Sequence, residues 1–528
     1  MGTAMGTATA TAMDTAAMTR RRAEPRCLAF AFAAWAALSH AQEGGASGAG
    51  AMTVVPRLAL MQTWTDNLLL DDRNKDAALI TTLSPGISIS ANSGTLRGTL
   101  DYALNGIAYV KTEQPSRLQN SLAASAQAEL ISRRLYVDMR ASIGQQSGSA
   151  FGQQSVPTLG SQGSVSNLAN ANQRETGTLA VSPSLRGMLG SLASYQLRGD
   201  VTRTEVRGSS LGDSRGEGFS LRVDEWNAGL LGWWLSANTQ QTRSALAASS
   251  RSSAMALGLT YRPDPDWTVS GNVGSERSNY LGGTRNSTTA GANLQWTPTP
   301  RSRAGATWQR HDYGNSHTLS LEHRMARSVW RIADTQSTVL GNTGASGGVR
   351  SNYDQFFLQF AAIEDDPVKR DARVREALQA LGLSPDAPAA GGFLSSGPSR
   401  LRSQLLSFTL QGLRSTLSAQ MNRSITRRLG SNLNQGDLAN SSRIEQRSVS
   451  LSASHRLTPQ SGLSMTASRQ ETSGDLGSQQ TQLSSIMVNW NTRLGSRLSV
   501  QVGARHSRFE SVTPYTENGA YASLSQRF

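Results

Sequence analysis

The residues best suited to bind a ligand in this sequence are five arginines that recur at polar positions of alternating polar and apolar segments. A guanidinium group forms paired hydrogen bonds with a carboxylate or a phosphate, so arginines facing one common space favour anionic solutes such as acidic sugars. An alternative role is to pair with acids at equivalent positions, such as Asp101, Asp138 and Asp200, and so to stabilise the wall that carries them. The five arginines are Arg97, Arg140, Arg198, Arg303 and Arg505.

Hydrolytic chemistry would have to use the few histidines. His311 and Asp312 are adjacent, His323 follows them, and Asp71 and Asp72 stand together in the first long connection. Histidine and aspartate side chains can act as general acid and base, so hydrolysis is one interpretation and solvated loop residues are the other. No glycine-rich phosphate loop follows a strand, and no His/Asp/Glu group has metal-ligand spacing. The sequence therefore predicts no cofactor and no metal.

The elements that would position these residues are strands. In the segments 95–110, 134–146 and 497–507, apolar residues occupy every second position and polar residues occupy the others. A strand places such sets on opposite faces, whereas a helix cannot.

The connections between these segments alternate between short and long. Pro and Gly supply the backbone angles that tight turns need. We predict tight turns at Asn92–Gly94, Arg262–Asp266, Thr297–Pro300, Thr458–Ser461 and Leu494–Ser496, and long loops at Gly144–Gln173, Arg203–Gly218, Leu429–Ser442 and Glu471–Gln480.

Together these patterns predict an all-β fold: a transmembrane antiparallel up-and-down β-barrel over residues 53–528, with about 22 strands (18–24). Hydrophobic residues make up 38% of the 528 residues, below the roughly 45–50% of packed soluble domains. A wall with lipid on one side and water on the other needs apolar residues only at alternate positions. Trp267 and Trp296 stand beside two tight turns, where an aromatic girdle is expected. The rival fold, a secreted β-solenoid, would show a fixed repeat, and the spacing here varies.

The first 41 residues have the pattern of a Sec-type signal peptide. Arg20, Arg21, Arg22 and Arg26 precede the apolar run Leu28–Leu38, and Ser39 and Ala41 suit cleavage after Ala41. Residues 1–17 fit no signal element, which makes Met18 the candidate start, and residues 42–52 form a Gly/Ala-rich linker. Cleavage would remove Cys27, the one cysteine. The net charge of +14 would suit nucleic acid in the cytosol, but export to a Gram-negative outer membrane argues against that partner.

One segment departs from the strand pattern. Asp366-Pro367 is a good helix start, apolar residues follow at helical spacing, and Gly382 ends the run. We predict a helix at about 367–381 within a loop insertion over 341–400, which is a plug, a cap or a plain loop. The chain ends in a strand with Leu524 and the terminal Phe528 on one face, a pattern similar to the membrane-insertion signal read by barrel-insertion machinery.

Several motifs resemble the PEP-CTERM system-associated outer-membrane β-barrel family, found at exosortase and exopolysaccharide loci. The matching residues are Trp64–Asn67, Leu83–Ser88, Ser182–Leu185 with Gly190–Ala193, and the insertion motifs Asp371–Val374, Gly382–Pro388 and Gly392–Leu394. The resemblance implies that the gene lies beside genes for extracellular polysaccharide assembly. It assigns no catalytic or ligand residue.

We therefore expect a non-enzymatic porin-like barrel that exports, or assists the export of, an extracellular polysaccharide. One alternative is a closed, adhesin-like surface barrel whose outer loops bind matrix or lipopolysaccharide, and another is a rim hydrolase. The expected partners are outer-membrane lipid, lipopolysaccharide, the barrel-insertion machinery and polysaccharide-export components.

Overall fold

The computed structural model describes residues 51–528 except 111, 157–167, 227–228, 341–369, 371–373, 375–391, 431–434 and 478. Alternating segments of the sequence form 22 strands, and a short helix, α1 (Asp437–Asn440), lies between the seventeenth and eighteenth of them. The strands are β1 (Ala51–Thr65), β2 (Ala78–Asn92), β3 (Leu96–Val110), β4 (Arg117–Ile131), β5 (Leu135–Ser147), β6 (Gln173–Leu189), β7 (Ala193–Val206), β8 (Ser214–Glu225), β9 (Leu231–Ser244), β10 (Ser250–Asp264), β11 (Trp267–Ser278), β12 (Arg285–Thr299), β13 (Ser302–His311), β14 (Gly314–Arg324), β15 (Ser328–Val339), β16 (Ser399–Gln411), β17 (Ser415–Arg428), β18 (Arg443–Arg456), β19 (Ser461–Ser473), β20 (Gln480–Arg493), β21 (Leu498–Glu510) and β22 (Tyr515–Arg527).

The strands close into a single barrel. Each strand pairs antiparallel with the next in sequence, from β1 with β2 to β21 with β22. β22 also pairs with β1, from Arg57 opposite Arg527 to Thr65 opposite Gly519. Closure leaves no edge strand with unpaired backbone groups, which is the condition for a sheet to cross a membrane. The predicted fold class and strand number are confirmed.

Alternation sets the two faces of the wall. On β10, Met255, Leu257 and Leu259 are each more than half exposed, and the alternating residues between them are small. Directly opposed residues in a sheet share a face. The register of each strand pair therefore shows which residues of every other strand lie on the same face as Met255, Leu257 and Leu259. The apolar face is the outer, lipid-facing surface, and the polar face lines the interior.

The two ends of the barrel differ. At one end, here called the turn end, strands are joined by two to five residues, as at 265–266 and 300–301. At the other, the loop end, connections reach 59 residues (340–398). This asymmetry places the turn end in the periplasm and the loop end outside the cell. Outward aromatic side chains form a girdle at the turn end, where Trp267 stacks on Trp296 with ring centroids 5.3 Å apart. Other members include Tyr261, Trp330, Phe408 and Trp490.

The predicted connections mostly agree with the structure. The tight turns are present, and the loop predicted at Leu429–Ser442 lies between β17 and β18. The loop predicted at Arg203–Gly218 is wrong in extent, because β7 continues to Val206 and β8 begins at Ser214. These strand ends extend beyond the apolar band and are polar on both faces, so their sequence looks like a loop.

The other segments predicted from the sequence lie only partly within the described residues. β1 begins at Ala51, inside the predicted linker 42–52, and the signal peptide 1–41 lies outside the described residues. Of the helix predicted at 367–381, Arg370 and Val374 are described and are helical. The remainder of that helix, and most of the insertion 341–400, lie outside the described residues.

Loops at the loop end pack against one another. Ala150 of the β5–β6 loop joins Phe393, Leu438 and Ile444 in a buried apolar cluster. The Ser149 hydroxyl donates a 2.9 Å hydrogen bond to the Asp437 carboxylate in α1. Burial is the main cause that raises the pKa of Asp437 above its ordinary value. Loops from β5 and β17, which are far apart around the wall, are thus held together across this end.

Candidate functional site

One basic feature of the interior lies at the turn end. A cavity of about 640 Å³ opens among the turns between β16 and β22, and no acidic residue lines it. We call it the vestibule. Arg414, Arg456, Arg497 and Arg527 are exposed and form no ion pair within the described part of the chain. Six arginines line it in all: Arg57, Arg414, Arg456, Arg493, Arg497 and Arg527. Such a surface attracts carboxylate or phosphate groups.

The wall above the vestibule is polar and almost uncharged. On β17, six successive inward positions from Thr416 to Thr426 carry Ser, Thr, Asn or Gln. On β18, the five from Gln446 to Ser454 do the same. Hydroxyl and amide groups donate and accept hydrogen bonds, as sugar hydroxyls do.

The five arginines predicted from the sequence all face inward, but they differ in partners. Arg505 is buried and paired with Glu517, with side chains 1% exposed. Arg198 contacts both Asp138 (3.4 Å) and Asp200 (2.9 Å). These two arginines therefore stabilise the wall in this structure.

The other three predicted arginines are accessible. Arg97 lies opposite Gln127, Arg140 opposite Ser125, and Arg303 opposite Glu322. All three are exposed and have no ion pair among the described residues. Asp101, one of the predicted partners, instead pairs with Arg57 of β1. The vestibule arginines were missed by sequence analysis, although four of them, Arg414, Arg456, Arg493 and Arg497, lie in or beside tight turns, which was the available signal.

A second cavity lies in the wall between β8 and β13. Trp234, Gly258, Asn272, Gly291 and Gln309 are directly opposed on successive strands and form one inward-facing row. The glycines leave a trough with the indole at one end and the Gln309 amide at the other. The cavity has a volume of about 230 Å³ and is also lined by Arg222, Asn238 and Thr289.

The aromatic end of this trough is held tightly. The Arg222 guanidinium lies 4.7 Å from the Trp234 ring centroid, a distance typical of a cation–π contact. A Cβ at Gly258 would lie 2.3 Å from the indole, so only glycine leaves room for the ring. The Asn272 side-chain oxygen is buried without a hydrogen-bond partner within the described chain. An indole beside planar amides can hold a sugar ring by stacking and hydrogen bonding.

The histidines singled out from the sequence do not meet. His311 faces inward at the loop end, whereas His323 is on the outer face at the turn end and hydrogen-bonds Ser302. Asp312 is in the turn after β13. Asp71 and Asp72 are in the β1–β2 loop, where the backbone N–H groups of Arg73 and Asn74 lower the pKa of Asp71.

His311 has other partners instead. Its Nδ1 lies 2.7 Å from a Glu276 carboxylate oxygen, and its Nε2 lies 3.1 Å from the Ser316 hydroxyl. Carboxylate, imidazole and hydroxyl in this order are the arrangement that activates a serine nucleophile. Glu276 and Ser316 were not recognised in the sequence, because strand pairing alone brings them to His311.

The two residues of the proposed insertion signal lie where β22 closes the barrel. Leu524 faces outward opposite Leu60 of β1 and is 44% exposed. Phe528 is exposed, and its backbone N–H donates to the Pro56 carbonyl.

No helix among the described residues is long and apolar enough to cross a membrane. The same residues contain no group of three or more His, Cys, Asp or Glu side chains that could hold a metal ion.

Comparison with known proteins gives matches in structure alone. No protein-family model matches this sequence, and no curated protein sequence does. The FrpB iron transporter of Neisseria meningitidis (F5-1 variant, apoprotein form) has 10% identity and a TM-score of 0.49, over 91% of this chain and 82% of that one. The siderophore receptor PirA of Pseudomonas aeruginosa has 10% identity and a TM-score of 0.42, over 90% and 80%. The closed sheet, its apolar outer face and its two unlike ends give this chain an outer-membrane β-barrel fold.

Proposed function

We propose that this barrel is a non-enzymatic pore that exports, or assists the export of, an acidic extracellular polysaccharide. The observation that carries the proposal is the vestibule, where six arginines and no acid line a cavity at the periplasmic end. The resemblance to the PEP-CTERM-associated barrel family supports the polymer class, and polysaccharide-export components would be the periplasmic partners.

The rest of the interior suits such a polymer. Acidic groups would be attracted at the vestibule, and sugar hydroxyls would meet the Ser, Thr, Asn and Gln side chains of β17 and β18. The trough beside Trp234 offers room for one sugar ring, and the side-chain amide of Gln309 there makes no hydrogen bond to the described residues. A neutral hydrogen-bonding wall holds sugars weakly, which allows them to leave as well as enter.

Planar bilayer recordings test the proposal. The refolded barrel should conduct and prefer anions, and oligogalacturonate added on the turn side should block it. Replacing Arg456, Arg497 and Arg527 with Gln should weaken that block at least tenfold. The matched control replaces three exposed turn-end arginines outside the vestibule, Arg134, Arg301 and Arg327, with Gln, and block should be unchanged.

A closed surface barrel is the alternative that the packed loop end favours. The contacts of Ser149 with Asp437, and of Phe393 with Leu438, hold separate loops together over this end. A folded barrel that shows no open state at any voltage would establish this alternative and rule out the pore.

The chain Glu276–His311–Ser316 favours a hydrolase as a further candidate. Its serine should react with a fluorophosphonate, which forms a bond to an activated hydroxyl and releases fluoride. Labelling of the folded barrel that is lost in Ser316→Ala but kept in Ser320→Ala, another inward-facing serine of β14, would support hydrolysis. Absence of labelling in the folded protein would remove this candidate.

A further inference from the structure

Three arginines lie side by side on the outer surface near the loop end. Arg203 of β7 is directly opposite Arg215 of β8, and Arg215 is directly opposite Arg243 of β9. Arg251 and Arg277 continue the series diagonally on β10 and β11. We call these five residues the arginine arc.

The arc faces away from the barrel interior. Arg203 shares its face with the exposed Val201, Arg215 with the exposed Phe219, and Arg251 with Met255. Each arginine lies within four residues of the loop end of its strand. The arc is therefore at the upper border of the lipid-facing apolar band, which is the level of the outer-leaflet headgroups.

The arc carries more positive charge than its neighbours neutralise. Arg203 pairs with Glu205 and Arg215 with Glu217, and all four side chains are more than 40% exposed. Arg243, Arg251 and Arg277 have no ion-pair partner in the described structure. Directly opposed like charges destabilise a sheet, so this arrangement gains stability when an anion lies across the arginines.

We propose that the arginine arc binds the phosphate groups of an outer-leaflet glycolipid. Guanidinium groups bind phosphate through paired hydrogen bonds, and their spacing on adjacent strands offers two or more arginines to each phosphate. The apolar side chains directly below would contact the acyl chains of the same molecule. A free phosphate ion would bind to the arginines but would make no contact with this apolar surface.

Binding of purified bisphosphorylated lipid A to the detergent-solubilised barrel tests the proposal, with dephosphorylated lipid A and inorganic phosphate as the other two probes. The wild type should bind the phosphorylated lipid at least tenfold more tightly than the dephosphorylated one, and more tightly than inorganic phosphate. The variant Arg203→Gln, Arg215→Gln, Arg243→Gln should lose that tenfold preference. The control Arg134→Gln, Arg301→Gln, Arg327→Gln removes the same charge and should keep it.

The thermal midpoint supplies an independent readout. Phosphorylated lipid A should raise the midpoint of the wild type and of the control variant, but not that of the arc variant. If the triple arc variant fails to fold, Arg215→Gln alone, at the centre of the row, should show a smaller loss in both measurements. Equal binding of phosphorylated and dephosphorylated lipid A by the wild type, or unchanged binding by a folded arc variant, would overturn the proposal. Stronger binding of inorganic phosphate than of lipid A would overturn it as well.

Discussion

The guanidinium of Arg505 lies 3.0 Å from the carboxylate of Glu517, and both side chains are 1% exposed. The two residues face inward on β21 and β22, the last strands of the barrel. Glu517 also accepts a 2.9 Å hydrogen bond from the Thr65 hydroxyl of β1. One buried carboxylate thus joins three strands at the seam where the last strand of the barrel meets the first.

Removing this carboxylate should weaken the seam. Glu517→Gln leaves the Arg505 charge buried and uncompensated, which typically costs about 3–5 kcal/mol. We expect a loss of that size in the free energy of unfolding, measured by urea titration of the heat-modifiable folded form. Glu510→Gln is the matched control, because its pair with Arg508 on β21 is exposed, and such pairs contribute less than about 1 kcal/mol. Equal losses in the two variants would contradict a structural role for the buried pair.

A methyl group at Gly258 should disrupt the trough. Gly258→Ala places a Cβ against the Trp234 indole and must displace it, whereas a Cβ at Gly271 has no neighbour closer than 4.0 Å. We expect Gly258→Ala to shorten the residence time of a neutral oligosaccharide in single-channel recordings about tenfold. Trp234→Ala should have the same effect, and Gly271→Ala should have none. Residence times that do not change in a folded Gly258→Ala barrel would show that sugars do not use the trough.

The folded arrangement of the loops around the buried Asp437 should become more stable in acid. Burial raises the pKa of Asp437, so the folded state holds this proton more tightly than the unfolded chain does. The stabilisation is complete below the unfolded pKa and is lost as the pH rises through the folded pKa. Lowering the pH from 7 towards 4 should therefore slow hydrogen exchange at Ala150 and Phe151, after correction for intrinsic rates. Asp437→Asn should remove this pH dependence, and a variant that retains it would point to another group.

Removal of Phe528 should slow assembly more than it lowers stability. Its side chain is 63% exposed, and within the described structure it is joined to β1 by one hydrogen bond, from its backbone N–H to the Pro56 carbonyl at the edge of the barrel. We expect slower appearance of the folded form on barrel-insertion machinery in vesicles, with an unchanged urea midpoint. Replacing the exposed Val512 with Ala should leave both measurements unchanged. A deletion that assembles at the normal rate would argue against a signal role for this residue.

Much of the barrel could be predicted from the sequence, because the two-residue alternation of strands such as Leu96–Val110 is a local pattern. Strand ends were harder to predict. Arg203 and Arg215 lie in polar extensions at the upper border of the apolar band, where regular alternation between apolar and polar residues ends. The recurring spacing of an arginine two residues before an acid, as in Arg203-Thr204-Glu205, was the signal available there.

The sites depend on register, which the sequence does not contain. His311 meets Glu276 and Ser316 because the successive pairings of β11 with β12, β12 with β13 and β13 with β14 fix one register. Glu276 is 35 residues from His311 in the sequence and Ser316 is five residues from it, and neither spacing forms a recognisable motif. Likewise, the sequence showed that Arg198 and Arg505 face inward, but only the neighbouring strands show that both have acidic partners.

The outward face of β10 also defines a thickness. Arg251 of the arc and Tyr261 of the aromatic girdle lie ten residues apart on that face, which is about 33 Å along a strand. With a strand tilt of about 40°, this spans about 25 Å along the membrane normal. A hydrocarbon layer thicker than this would bury the charged arc, and a thinner one would leave apolar side chains in water, each at a cost in free energy. The spacing of the two belts thus restricts this barrel to a membrane with a thin hydrocarbon layer.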